Sequence, residues 1–211
     1  MDILVNALDH LVYATPDLEA TVAELEERLG VRAALGGRHP GRGTRNALIA
    51  LSDFSYLEVV GPDPSQSGTP NPRWFGVDTL TAPRLVTWAA KSDDIDAAAA
   101  RAARRGVLLG PIASGSRQRA DGVVLSWRFT DPGVMVEDGL VPFLIDWGTS
   151  PHPAASAPRG AVLRLLRAEH PDPERLGRAL AALDLTLPIA RGTHPCLVAT
   201  LGTTRGDVEL G

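Results

Sequence analysis

Three stretches of this 211-residue chain follow one pattern, and a repeat of that length constrains the fold more than any isolated element can. In the first, the apolar run Leu8 to Ala14 reads as a strand, and Thr15-Pro16-Asp17 then supplies a helix start with Pro near the first helical position. Leu18, Val22, Leu25 and Leu29 follow at helical spacing, forming one stripe to pack on a sheet, and Gly30 ends the helix. The second copy runs Leu85 to Ala90, the cap Ser92-Asp93-Asp94, and an alanine-rich helix from Ile95 to Arg105 closed by Gly106. The third runs Val162 to Ala168, then His170-Pro171-Asp172-Pro173, then a helix bearing Leu176, Leu180 and Leu183 that ends near Asp184.

After each helix come β signals broken by Gly and Pro. In the first unit they are Ala33 to Leu35, a Gly36 to Gly43 loop, Asn46 to Ser52 and Tyr56 to Val60. In the second they are Leu108 and its neighbours, Val123 to Phe129 and Pro142 to Trp147, with Asp121-Gly122 suited to a hairpin turn. In the third they are Leu187 to Ala190, Cys196 to Leu201 and Asp207 to Leu210. Each unit reads βαβββ. Such a unit covers one sheet face with its helix and leaves the other open, so two paired units make a curved eight-stranded, antiparallel-rich sheet whose concave side is a cup for a ligand. The expected class is α+β: units 1–62 and 84–150 form one domain over 1–150, and 160–211 is a third, partial unit. Linkers are expected at Pro62 to Pro83 and Pro151 to Gly160. The third unit, without an internal mate, either packs on the others or completes a cavity with a second subunit, which allows a homodimer.

Composition narrows the partners. A net charge of −4 leaves no basic surface for nucleic acid or anionic membrane. Cys196 is the single cysteine, so intrachain disulfides and CxxC motifs are excluded. No signal-like or membrane-length apolar run is read, and a cytoplasmic location is expected. Gly36-Gly37 and Gly41-x-Gly43 precede no helix, so they are no dinucleotide fingerprint. The GxSxG, HExxH and Walker patterns are missing too.

The opening LDHLVYATPDLEATVAELEERLG, the loop GGRHPGRGTRNALIAL, the strand YLEVVGPD and the later VPFLIDWGTSPHP together resemble the glyoxalase-like branch of the vicinal oxygen chelate superfamily. The resemblance spans the chain and is least specific in the third unit. It implies paired βαβββ modules holding a divalent metal (Zn, Ni, Fe or Mn) by ligands on the first and last strands of each module. Activities in that superfamily include lyases, isomerases, epimerases and dioxygenases, beside metal-free binding proteins. Position by position, the resemblance makes His10 the first-strand ligand and Glu58 the last-strand ligand, which is also the catalytic base if released from the metal. Alternation along the strands groups His10 with Leu8 and Val12, and Glu58 with Tyr56 and Val60. The second unit departs from the pattern, because Thr87 stands where His10 has its counterpart. Asp146 lies near the counterpart of Glu58, with its neighbours Ile145 and Trp147 open as the inward-facing residue.

Substrate contacts are expected from His39 and Asn46 on the glycine-rich loop, read as a mobile flap, from Trp88 and Trp127 on second-unit strands, and from Arg128, whose guanidinium suits a carboxylate or phosphate. Arg117 and Arg119 read as a charged hairpin edge. The remaining histidines, His152, His170 and His194, all precede proline and read first as chain-bending sites. The leading expectation is a small-molecule enzyme that polarises substrate oxygens with a divalent metal. The alternative is a metal-free binding or sequestering protein of the same fold.

Overall fold

A computed structural model describes residues 7–66, 68, 73–118 and 123–211, with the backbone alone at 117 and 118. The first unit is β1 (Leu8–Ala14), α1 (Leu18–Leu29), β2 (Ala34–His39), β3 (Thr44–Ala50) and β4 (Tyr56–Pro62). The second is β5 (Arg84–Lys91), α2 (Ile95–Arg104), β6 (Ile112–Gln118), β7 (Val124–Thr130) and β8 (Phe143–Asp146). The third is β9 (Ala161–His170), α3 (Pro173–Ala181), β10 (Ile189–Arg191), β11 (Cys196–Thr203) and β12 (Gly206–Leu210). Every unit therefore has the βαβββ order read from the sequence.

The helices begin where the caps said they would. Asp17, Asp94 and Asp172 each accept a hydrogen bond from the backbone N–H three residues on, which satisfies one of the donors a helix N-terminus leaves open. Gly30 closes α1 at a φ of 73°, a conformation that glycine adopts without a Cβ clash.

The first two units form one sheet in the order β2-β3-β4-β1-β5-β8-β7-β6. Its centre is the antiparallel pair β1 and β5, flanked by the parallel pairs β1–β4 and β5–β8, so the halves are related by an approximate twofold. On the convex face Leu11, Tyr13, Leu57, Val59 and Trp88 pack under α1 and α2 in the main core. On the concave face Val12, Val60, Ala89, Phe129, Phe143 and Ile145 form a second apolar cluster. The third unit makes its own sheet, β10-β9-β11-β12, and its apolar residues Leu166, Leu176, Leu180 and Leu197 join the main core. Among the described residues no helix is long and apolar enough to cross a membrane.

Several expectations change at this level. The stretch read as a Gly36–Gly43 loop is strand as far as His39, so His39 sits at a strand end and is buried rather than carried on a flap. Leu108 lies in no strand and is exposed. The Asp121-Gly122 turn and Arg119 fall outside the described residues, as does the side chain of Arg117. Neither inter-unit segment is a free linker. The first sends Phe75 and Val77 into the concave cluster with Trp74 against it, and the second buries Pro153 and Ala154. Leu8 packs in the convex core with Leu11 and not beside His10, because β1 slips one place against β5 between Leu8 and His10. A β-bulge of this kind inserts a residue, here Asp9, and undoes strict alternation.

Candidate active site

The bulge explains the first part of the site. In a regular strand Asp9 and His10 point to opposite faces, yet here Asp9 Oδ1 lies 2.8 Å from His10 Nδ1 and both side chains are buried. The other oxygen, Asp9 Oδ2, accepts from the Trp147 indole N–H at 3.1 Å and from His152 Nε2 at 3.2 Å. Burial pushes the Asp9 carboxyl up, and the hydrogen bonds and charge of His10 and His152 outweigh it, holding its pKa at about 2. An ionised carboxylate only accepts, so His10 Nδ1 carries a proton and Nε2 is left to face the cavity.

Glu58 meets it there. Its Oε2 lies 3.5 Å from His10 Nε2 and its Oε1 lies 3.5 Å from His39 Nε2. Asn46 completes this side: its Oδ1 accepts from Gly37 N at 2.8 Å, which orients the amide so that Nδ2 donates to Glu58 Oε1 at 2.5 Å and reaches His39 Nε2 at 3.2 Å. His39 Nδ1 is bonded to Thr44 Oγ1 at 2.8 Å. Burial raises the Glu58 carboxyl, but the His39 and Asn46 hydrogen bonds and the nearby imidazoles prevail and bring its pKa to about 2. The result is a buried chain, Asp9, His10, Glu58, His39, alternating carboxylate and imidazole.

Aromatic rings enclose the chain. Tyr56 stacks on His10 with centroids 4.6 Å apart, and Phe143 meets His10 edge-on at 5.4 Å. Trp74 covers His39 at 5.5 Å and is itself covered by the Arg42 guanidinium. Trp127 lies on the opposite wall, flat over β6: a Cβ at Gly115 would sit 2.6 Å from its Cε2, so glycine is what lets the ring settle there. Together with Phe75 and Ile145 these rings leave a cavity of about 50 Å³. A water needs roughly 10–15 Å³ on this measure, so the space corresponds to a few waters.

Of the residues singled out in the sequence, His10, Glu58, His39, Asn46 and Trp127 come together here. Three do not. Trp88 is fully buried in the convex core, its indole N–H donating to Leu140 O. Arg128 lies on the outer face in a two-pronged pair with Asp96 of α2, and Asp146 is bonded to Gly148 N. Arg128 and Asp146 both line a separate open groove of about 440 Å³ with Ser114 and Ser126. Ile145 and Trp147, the alternatives to Asp146, also line the cavity, while sequence reasoning missed Asp9, Tyr56, Trp74 and His152. Asp9 could be suspected only from its place beside His10, and His152 was read through the proline that follows it.

The register shows what stands opposite the expected metal ligands. Val12 pairs with Glu58 in the first unit, and its counterpart Ala89 pairs with Phe143 in the second. Phe143, not Asp146, is therefore the counterpart of Glu58, and Thr87 remains the counterpart of His10. The cup has two of four ligand positions filled by metal-binding types, and a second imidazole, His39, already shares the Asn46 amide with Glu58. Among the described residues no group of three or more His, Cys, Asp or Glu side chains is placed to hold a metal ion. This donor set does not fit a resident divalent centre, which needs several convergent, deprotonated ligands.

Comparison with known proteins agrees with the architecture. A family model described as a glyoxalase-like domain matches residues 8–183, from β1 through α3. A crystal structure of a hypothetical protein from Staphylococcus aureus aligns over 96% of this chain and 83% of its own, at 14% identity and a TM-score of 0.66. Methylmalonyl-CoA epimerase from Mycobacterium tuberculosis aligns over 67% of this chain and 88% of its own, at 19% identity and a TM-score of 0.44. No curated protein matches.

Proposed function

Since the chain belongs to the glyoxalase-like domain family of the vicinal oxygen chelate superfamily, we propose that its cup receives a small organic molecule and moves a proton on it, with His10 as the acid–base group. The supporting observation is the position of one imidazole between two buried carboxylates. Asp9 commits Nδ1 as a donor, and Nε2 faces both Glu58 and the cavity. A base oriented by a buried acceptor on its far nitrogen is the arrangement general-base catalysis needs.

Glu58 has a different part from the one read in the sequence. A carboxyl held at about 2 is a weak base at neutral pH, but a good counter-charge for an imidazolium 3.5 Å away. The step follows from this: a substrate C–H bond breaks, its electron pair stays on the substrate as an enolate, and the proton forms an N–H bond at His10 Nε2. Glu58 stabilises the imidazolium, and return of the proton regenerates His10. The aromatic walls exclude water and select a mostly apolar body with an oxygen function adjacent to the acidic carbon.

The test is deuterium wash-in. Small ketones, thioesters and 2-oxo acids are incubated with the protein in D2O, and loss of the C–H signal is followed by proton NMR. The expected result is exchange on at least one compound that is abolished in His10→Ala and unchanged by a chelator. Exchange that the chelator stops would transfer the chemistry to a metal, and ligand binding without exchange in any compound would make the protein a binder.

A further inference from the structure

We infer that His152, supplied by the segment between β8 and β9, is a positioning residue that fixes which nitrogen of His10 carries its proton; the inference rests on the reading above only in taking His10 as the acting group. The geometry runs in one direction. Ala154 N donates to His152 Nδ1 at 3.2 Å, so Nδ1 is an acceptor and the ring proton belongs on Nε2. That N–H points at Asp9 Oδ2 at 3.2 Å, where the Trp147 indole also donates. With Oδ2 taken by two donors, Oδ1 is the acceptor left for His10, and it lies 2.8 Å from His10 Nδ1. The Ala154 N–H, in the segment between β8 and β9, thus sets the His152 tautomer, and the two donors on Oδ2 hold the Asp9 carboxylate turned so that Oδ1 meets His10 Nδ1 and neutral His10 presents a lone pair to the cavity.

Two further observations separate this from generic packing. The His152 ring sits edge-on to Tyr56 at 5.6 Å and to Trp147 at 5.9 Å, so it touches both the ring that stacks on His10 and the ring that shares Asp9 Oδ2 with it. Its side chain is 13% exposed, while Asp9 is fully enclosed, so water cannot replace the lost donor at Asp9 without opening the wall. Transfer of a proton from Asp9 outward through His152 is not part of the role, because Nε2 already carries hydrogen.

The experiment is a long-range proton–nitrogen NMR spectrum of the imidazoles in the full-length protein, at a pH where they are neutral. In the native protein His152 should be protonated on Nε2 and His10 on Nδ1. His152→Phe keeps the ring packing and removes the donor, and it should move His10 toward the Nε2–H form; His152→Gln, whose amide can donate to Asp9, should restore Nδ1–H. Where wash-in is measurable, it should fall in His152→Phe, by less than the roughly 100-fold or more that loss of the base itself costs, and recover in His152→Gln. A native His152 protonated on Nδ1, or a folded His152→Phe whose His10 tautomer is unchanged, would overturn the inference. If the tautomer shifts while no compound exchanges, the inference stands and the proton-transfer reading falls. If exchange proceeds and the tautomer does not shift, the reverse holds.

Discussion

At corresponding places on their first and last strands, the first unit carries His10 and Glu58 and the second carries Thr87 and Phe143, although the pairing around both is the same. One half of the cup supplies every ionisable group of the buried chain. The other supplies apolar surface: Ala89, Phe129, Phe143 and Ile145. Duplicating a βαβββ unit fixes the shape of the cavity, but the chemistry depends on which strand positions keep polar side chains. Here they are concentrated on one wall, which favours recognition of a ligand with one polar end over symmetrical chelation.

The contrast gives predictions of decreasing size. Glu58→Ala leaves His10, His39 and Asn46 facing an apolar wall without their shared acceptor, and should cost about 3–5 kcal/mol in urea unfolding. Phe143→Ala, its counterpart, should cost about 3 kcal/mol through lost packing, while leaving the His10 tautomer intact. Equal loss of the tautomer in both would show that the two walls are not distinct.

Acid should find the same polar wall. Asp9 and Glu58 both have folded pKa values below their unfolded ones, so their contribution is complete above the ordinary carboxylate range and is lost as pH falls toward about 2. Each is worth on the order of 2–3 kcal/mol by that linkage. Unfolding free energies at pH 7 and pH 3 should differ accordingly, and Glu58→Gln should flatten the slope. The smallest effect belongs to Arg128→Ala. Its partner Asp96 is exposed and solvent screens the pair, so the urea midpoint should barely move, with ligand binding untouched.

The fold was legible because the signals that set it are local. Capping aspartates, Gly30 and helical stripes each announce an element wherever it packs, and their recurrence announces the pairing of units. His10 and Glu58 were legible through the motif that holds them. What escaped were features that arise from tertiary context. A one-residue bulge turned Asp9 toward His10, and no pattern of apolar residues encodes where the register slips. Pro-rich composition made the segments around Trp74 and His152 read as linkers, although both supply walls of the cavity once the sheet curls. Asp146 was a matter of register: three residues along a strand separate it from the true counterpart of Glu58, and an odd shift also exchanges the face.

Metal content decides the central claim, that the buried carboxylate–imidazole chain acts without a resident ion. Protein purified from metal-supplemented medium without chelator, analysed by plasma mass spectrometry beside a Thr87→His/Phe143→Glu variant that restores the two missing ligand types, gives the comparison directly. The account predicts well below one divalent ion per native chain and a gain in the variant. One ion per native chain, lost in His10→Ala, would contradict it.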